Sequence, residues 1–351
     1  MNLSDVIEEL VEERDIDRAV FADIIAEGML AGYNKKYPAL ELRINFNHEA
    51  GTLVVEVCKS AVANVEDEDS QISLRKARNI DRKIELGGKI WVPFDKTIGR
   101  VEILKAKQII AQRIHGIEAQ AVFNAFKEKE GMIVRGTVYK NERAGTLIKL
   151  QEAIAFLPKS LSIPGEKLMP GYPVKALLKE VLPEPRNENQ LILDRSSALF
   201  LKRLFELEVP EVFEGLVEVK QIVRDPGYKS KIVVASHDLN IDPVGTCVGV
   251  GGARIKPILK ELGGEKIDVL GATSSQEELV RNALKPAEIN RVEVINGVAR
   301  VWLNDDQRSL AIGKMGKNIA LASDLVGLGI ELAEAGAGEK QKLMGADEEI
   351  E

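Results

Sequence analysis

The chain has 351 residues, with 29 Gly, 13 Pro, 2 Cys and 3 His, and a formal net charge of −7. The length fits about two to four ordinary domains. No run approaches about eighteen uninterrupted apolar residues, which excludes a transmembrane helix, and the acidic balance excludes a sequence-blind nucleic-acid coat.

The start, Met1 to Val11, carries Asp5, Glu8 and Glu9 where a secretory peptide needs a basic end and an apolar run. A mature, cytoplasmic protein is expected. Cys58 and Cys247 are single and far apart, so they fit neither a disulfide framework nor a zinc site, and a reducing compartment suits them. Split by segment, the net charge is −4 over 1–130, +3 over 131–196, −3 over 199–335 and −3 over 336–351. Only 131–196 is basic overall, so phosphate contacts elsewhere must come from small patches.

Residues 1–34 read as helix: Leu3, Ile7, Leu10 and Val11, then Val20, Ile24 and Leu30, recur at helical spacing. Asp15 and Asp17 interrupt the pattern and suit the cap of a second helix, which Tyr37-Pro38 ends. Leu40–Phe46 and Thr52–Val57 alternate as a β-hairpin around His48–Gly51. Glu66–Asp69 reads as a solvated loop and Ile72–Ile80 as one short helix. Ile98–Phe126 is the longest helical pattern, with Ile103, Ala106, Ile110, Ile114, Ile117 and Ala121 on one face. It reads as a connector, stopped by Gly131.

Five strand-like runs follow, at Ile133–Tyr139, Thr146–Leu150, Ala153–Leu157, Val174–Val181 and Leu191–Leu193, punctuated by Gly136, Gly145, Gly165 and Gly171. They fit a small closed β-barrel, and the OB-fold is the common one of that size.

Residues 199–335 hold an internal repeat. Val217-Glu218-Val219 matches Val292-Glu293-Val294, Gly249-Val250-Gly251-Gly252 matches Gly313-Lys314-Met315-Gly316, and Ile255 matches Ile319. Ile267-Asp268-Val269 matches Ile330-Glu331-Leu332. Each half reads helix, two strands, helix, Gly-x-x-Gly, helix, strand. From Val-Glu-Val to the first Gly is 32 residues in one half and 21 in the other. The excess is expected in the loops Arg224–Ser230 and His237–Pro243. Between helices, such a turn lets a backbone approach without a Cβ in the way, and the next helix offers unpaired N–H groups to a phosphate. It is the loop by which KH modules clamp about four nucleotides. The candidate RNA-binding residues are therefore Gly249, Val250, Gly251, Gly252, Arg254 and Lys256, then Gly313, Lys314, Met315, Gly316, Lys317 and Asn318. Lys260 and Arg308 add charge nearby.

Catalysis finds little support. Arg254 stands where a dinucleotide fingerprint needs its third Gly, and Asn318 where a P-loop needs Ser or Thr. His48, His115 and His237 have no recognisable partner and read as surface or capping residues. Asp305-Asp306 read as helix caps, and no metal cluster is legible. No enzymatic activity and no cofactor are expected.

Several stretches resemble the NusA family of bacterial transcription elongation, termination and antitermination factors. They are Asp242–Gly249, Leu262–Asp268, Leu310–Asn318, Gly99-Arg100 through Gln112-Arg113-Ile114, and Arg203–Glu211. The resemblance covers about residues 1–335. It implies a multidomain α+β chain: a helix-rich N-terminal domain over 1–130 that docks on RNA polymerase, with a connector helix at about 98–127; an OB-fold RNA-binding domain over 131–196; and tandem prokaryotic-type KH modules over 199–275 and 276–335. A short acidic tail, 336–351, is expected to be disordered. The implied partners are RNA polymerase, nascent single-stranded RNA and other Nus-type factors, with no membrane and a monomer when free. The runner-up reading is a KH and OB-fold RNA-binding protein of ribosome assembly or RNA turnover.

Three departures from that family's pattern stand out. Val250-Gly251 replaces a basic residue in the first turn, which should loosen it, and Pro257 falls where it would cost a helix hydrogen bond. Ala320 and Lys317 stand where many relatives carry Arg and Gln. The tail is too short to hold the acidic repeats of some relatives. On the barrel, Tyr139 and Lys140, with Lys149 and Lys159, are the best candidates for a weak RNA surface; Phe156 reads as core.

Overall fold

The computed structural model describes residues 18–47, 52–187 and 189–334. The expectations for residues 1–17, for the His48–Gly51 turn and for the tail lie outside the described residues. The chain divides into two compact units, 1–121 and 122–351.

The first unit contains α1 (Arg18–Lys36), β1 (Leu42–Asn47), β2 (Thr52–Val62), β3 (Gln71–Ser73), α2 (Leu74–Ile80), β4 (Lys89–Pro93) and the start of α3 (Arg100–Phe126). β2 is the central strand, antiparallel to β1 and β4 and parallel to β3. Its Val57 and Ala61 are fully buried. The helix expected from Ile72 begins instead at Leu74, because Ile72 pairs with Ala61 in the sheet. α1 lies close on α3 through two glycines. A Cβ at Gly28 would fall onto the Ile110 side chain and 3.0 Å from the Ala106 carbonyl; one at Gly32 would lie 2.9 Å from the Glu102 carbonyl. Ala106 is buried and Ile110, Ile114 and Ile117 are partly so, but Ile103 and Ala121 are exposed. The buried stripe is narrower than its periodicity implies because α1 follows the Glu102–Ala106–Ile110 line.

The second unit begins with a five-stranded closed barrel, ordered β5-β6-β7-β9-β8. Its strands are β5 (Ile133–Asn141), β6 (Gly145–Lys149), β7 (Ile154–Pro158), β8 (Pro173–Arg186) and β9 (Asn189–Asp194). All ladders are antiparallel except β7 with β9. This is the OB-type barrel. Ala155, Leu157, Leu178, Leu191 and Leu193 are completely buried in its interior, with Phe126 of α3 in the same core. Gly136 does not punctuate the strands but sits inside β5, where a Cβ would meet Ile148 and the Lys149 carbonyl at 2.6 and 2.7 Å. Phe156, expected in the core, is half-buried on the other side of β7, paired with Leu147 and Ile192.

Two αββααβ modules follow. The first holds α4 (Ala198–Glu208), α5 (Pro210–Phe213), β10 (Val217–Asp225), β11 (Lys229–Ser236), α6 (Pro243–Val248), α7 (Ile255–Glu261) and β12 (Lys266–Gly271). The second holds α8 (Gln276–Ala283), β13 (Arg291–Ile295), β14 (Val298–Leu303), α9 (Asp305–Ile312), α10 (Lys317–Val326) and β15 (Gly329–Glu334). In each, an antiparallel hairpin takes its third strand in parallel, the KH arrangement. Local sequence sets the helix starts: Ser197, Asp242 and Ser275 accept backbone N–H bonds at the N-caps of α4, α6 and α8. Asp305 and Asp306 do not cap α9. Asn304 holds that position and the carboxylates lie in the first turn, where the helix dipole favours them. The extra residues of the first half lie largely in the longer strands β10 and β11, together with the 237–242 loop, not in two loops.

β11 is buried on both faces. Ile232 and Val234 join Phe200, Leu204, Phe205, Cys247 and Ile258 in the first module's core. Val233, with Leu270 of β12, joins Val280, Ala283, Ala322 and Leu325 in the core of the second. Burial raises the Cys247 thiol to about 11.

A charged network ties the barrel to the first module. The side chains of Glu265 and Arg224 are fully buried and pair two-pronged: Arg224 Nε donates to Oε1 at 3.0 Å and Nη2 to Oε2 at 2.9 Å. Glu265 also accepts from the Gly227 N–H (2.9 Å) and the Ser230 hydroxyl (2.5 Å). Arg195, at the end of β9, donates to Glu166 (3.0 Å) and to Glu261 at the end of α7 (2.6 Å). Both guanidiniums lie over the buried Phe200 ring, at 5.3 and 5.8 Å.

Truncating one partner of such a pair strands the other charge in the interior, at a cost of about 3–5 kcal/mol. Glu265→Ala is expected to lower the unfolding free energy of the second unit by that amount in urea titrations, and Glu218→Ala, on the exposed strand face, to leave the urea midpoint nearly unchanged.

Candidate nucleic-acid interface

The two Gly-x-x-Gly turns have one backbone. Gly249, Gly251 and Gly252 have φ of +74°, +60° and +78°; Gly313, Met315 and Gly316 have +72°, +56° and +72°. The first glycine of each is required by close approach. A Cβ on Gly249 would lie 3.0 Å from the Arg254 backbone N, and one on Gly313 would lie 2.6 Å from the Asn318 Cβ. The third position is left-handed, costing an L-residue about 1–2 kcal/mol. Gly251 therefore fits the turn rather than loosening it, and Met315 carries the strain.

The residue five past each first glycine has a shared task. Arg254 Nη1 donates to the Thr246 carbonyl at 2.8 Å, and Asn318 Nδ2 donates to the Leu310 and Ala311 carbonyls at 3.3 and 3.2 Å. Thr246 and Leu310 each lie three residues before the first glycine, where a helix end leaves carbonyls unpaired. Arg254 and Asn318, candidate RNA contacts by sequence, thus fasten the preceding helix to the turn. Arg254 is further paired with Glu211 at 2.9 Å. Asn318 is buried at 4% exposure and its Oδ1 accepts from Lys229 of the first module at 3.1 Å. Pro257 costs no hydrogen bond: α7 begins at Ile255, so it lies in the first turn, where the N–H has no intrahelical partner.

What each turn presents to solvent differs. Val250 and Met315 are almost fully exposed, at 97% and 85%. Lys314 and Lys256 are exposed and, among the described residues, paired with no carboxylate. Lys317 is not free: its ammonium lies 2.5 Å from Asp225 and 4.6 Å over the Tyr228 ring, both in the hairpin turn of the first module. That pairing has no sequence signal, since the partners lie in different modules.

A second seam cluster sits alongside. Lys229 and Lys231 both reach Asp268 Oδ2 at 2.7 Å. Lys231 is completely buried, and desolvation lowers its pKa against the opposing pull of Asp268.

On the barrel, Tyr139 is the extra residue of a β-bulge, since Val138 pairs with Ile148 and Lys140 with Leu147. It is 57% exposed, as is Tyr172 at 62%. Lys140 is exposed beside Glu142 at 3.2 Å. Lys159 borders a cleft of about 710 Å³ with Thr146, Ile163 and Lys167. Among the described residues no hydrogen bond or ion pair joins Tyr139 or Lys140 to either turn. Nor do the described residues contain a group of three or more His, Cys, Asp or Glu that could hold a metal ion. His115 and His237 are exposed, beside Glu118 and Glu218.

Known sequences match this arrangement. Residues 195–272 match the NusA-like first KH domain and 276–340 the NusA-like second KH domain, so each match contains one turn; residues 2–120 match the NusA N-terminal domain. The transcription termination/antitermination protein NusA of Thermus thermophilus is 36% identical over 87% of this chain and 80% of its own. The chain belongs to the NusA family. The Bacillus subtilis protein of the same name is 33% identical over 94% of this chain and 90% of its own. The solution structure of the N-terminal domain of NusA from B. subtilis is 25% identical and covers 33% of this chain and 95% of that one, at a TM-score of 0.25. Among members of the NusA family compared by sequence alone, Lys317 would count as a free cation at the turn; its pairing with Asp225 is visible only in the fold.

Because Met315 holds a left-handed conformation that Gly251 adopts freely, Met315→Gly is expected to raise stability and Gly251→Ala to lower it, each by ~1 kcal/mol net of the glycine's unfolded-state entropy. The shift in urea midpoint at constant slope checks both.

Proposed function

We propose that this chain is a transcription factor that binds RNA polymerase and nascent single-stranded RNA and modulates pausing, intrinsic termination and antitermination. The observation that carries the reading is the pair of like-shaped Gly-x-x-Gly turns, each within a KH match, in a chain of the NusA family. The domain limits that go with it are 1–130 for polymerase docking, 131–196 for the OB-fold, and 199–275 and 276–335 for the KH modules. We place RNA phosphates at the Gly313–Gly316 turn, served by Lys314, since the Gly313 and Gly316 N–H groups are already given to the Ser309 and Gly313 carbonyls. A weaker site lies at Gly249–Gly252, where the turn itself carries no cation and Lys256 supplies the charge. Arg254 and Asn318 act there as positioning residues.

Bases would stack on Tyr139 beside Lys140, the role aromatic side chains play on OB-fold surfaces. Other Nus-type factors are the expected further partners. The reading includes no enzymatic step and no cofactor, a cytoplasmic setting and a monomeric free state. No described helix is long and apolar enough to cross a membrane. The N-terminal match over 2–120 favours this reading over a protein of ribosome assembly or RNA turnover.

The deciding measurement is the lifetime of a hairpin-stabilised pause of bacterial RNA polymerase with the full chain and with a chain lacking residues 1–121. A lengthened pause that needs those residues is expected; an unchanged lifetime with RNA binding intact would contradict the transcriptional role. For the turn itself, Met315→Asp places a carboxylate against the phosphates, and Asp tolerates the left-handed region. RNA affinity is expected to drop by about 1–3 kcal/mol with the urea midpoint held, measured by fluorescence anisotropy.

A further inference from the structure

The hairpin turn of the first KH module, Asp225 to Lys229, meets the base of the second Gly-x-x-Gly turn. Asp225 Oδ2 lies 2.5 Å from Lys317 Nζ, Tyr228 lies beneath the same ammonium at 4.6 Å, and Lys229 Nζ bonds Asn318 Oδ1 at 3.1 Å. Lys317 is the residue directly after Gly316. Along the chain it is, with Lys314, one of the two cations adjoining the glycines of the turn.

We propose that Asp225 is an affinity-determining residue for RNA at the second turn: it holds the Lys317 ammonium in an internal ion pair and so withholds one cation from the phosphates. The inference rests on the RNA-binding reading above.

Three observations support it. First, the pair is accessible. The side chains of Lys317 and Asp225 are 38% and 32% exposed, so solvent and a phosphate reach the same ammonium. Second, the pair is not what holds the modules together. Exposed ion pairs contribute little to stability, while Val233 and Leu270 packed among Val280, Ala283 and Ala322, and the buried Asn318, form the seam. Removing the carboxylate therefore frees the lysine and leaves the seam in place. Third, the backbone that carries Asp225 is held in place. Its neighbour Arg224 is locked on Glu265, Gly227 N–H is bonded to the same carboxylate, and Tyr228 N–H donates to the Asp225 carbonyl at 3.1 Å. The first turn has no counterpart, since Ala253 follows Gly252 where Lys317 follows Gly316. The restraint is specific to the second turn, and its source is the other module.

The test uses the full chain and a fluorescein-labelled single-stranded RNA of mixed sequence, with anisotropy titrations over a salt series. Asp225→Asn and Asp225→Ala are each compared with wild type, and both again in a Lys317→Ala background. Both single variants are expected to bind about two- to fivefold more tightly at low salt. The slope of log affinity against log salt should steepen by about 0.7, the increment for one more phosphate on a single strand. In the Lys317→Ala background neither change should appear. Wild-type binding with unchanged affinity and slope in both Asp225 variants, or weaker binding in either while the urea midpoint is held, would overturn the withheld cation alone. Failure of the wild type to bind RNA at all would overturn the RNA reading and this inference with it.

Discussion

The Arg224–Glu265 pair shapes everything around it. Its two side chains are 1% and 0% exposed, so neither charge is hydrated, and only full internal satisfaction makes such a pair tolerable. It is satisfied: Glu265 takes the guanidinium, the Gly227 N–H and the Ser230 hydroxyl, while Arg224 Nη1 also donates to the Ser197 carbonyl at 2.7 Å, the N-cap of α4. The hairpin turn between β10 and β11 is thereby fixed in shape. That turn, part of the first module, meets two other bodies. A Cβ on Gly227 would lie 3.0 Å from the Pro164 carbonyl of the barrel loop, so the turn already lies close against that loop, and Asp225, Tyr228 and Lys229 reach Lys317 and Asn318 of the second module. One buried carboxylate therefore orders barrel, first module and second module around a single turn.

The two Gly-x-x-Gly turns show which parts of a motif are geometry and which are chemistry. The glycine at position one exists because residue six of the motif packs on it, and that residue is free to be Arg or Asn provided it can donate to the carbonyl behind. Position three needs a left-handed backbone and accepts Gly at no cost or Met at some cost. Position two, Val250 or Lys314, is exposed and pairs with no carboxylate among the described residues, and there the second turn carries a cation that the first lacks. An apolar first turn and a cationic second turn can thus share one backbone.

Much of this was legible in the sequence because it lies in local pattern. The long helix, the five barrel strands and the doubled αββααβ order follow from periodicity and punctuation, and each is present close to its expected limits. The failures are equally physical. β4 was not expected: Lys-Ile-Trp-Val-Pro is five residues long and becomes a strand only by pairing with β2. Phe156 sits in an apolar run, yet strand alternation puts Ala155 and Leu157 inside and leaves it outside. The longer β10 and β11 looked like loops around Asp225-Pro226-Gly227 because nothing local reveals that β11 is covered on both faces. Arg254, Lys317 and Asn318 read as phosphate ligands from their place beside a glycine turn, and what that reading leaves out is that the fold also pairs each of them internally. Their actual partners, Glu211, Asp225 and Lys229, stand 43 to 92 positions away in the chain, beyond the reach of any spacing rule.

The covered sheet has a consequence for how RNA would be held. Val233 and Leu270 belong to the first module's sheet but pack in the second module's core, so the modules share side chains rather than merely abutting. Interiors packed in this way do not deform smoothly, and a hinge between the modules would have to expose those residues and break the Lys229–Asn318 bond together. The two turns are therefore carried on one rigid scaffold. On the proposed reading, a single strand spanning both would meet a preformed geometry and would not lose binding energy to aligning the modules, which is the advantage of preorganisation. A rigid scaffold also limits the strand to spacings that match the fixed separation of the turns. On the proposed reading, selectivity for how RNA is threaded would come from the seam between the modules as much as from the turns themselves.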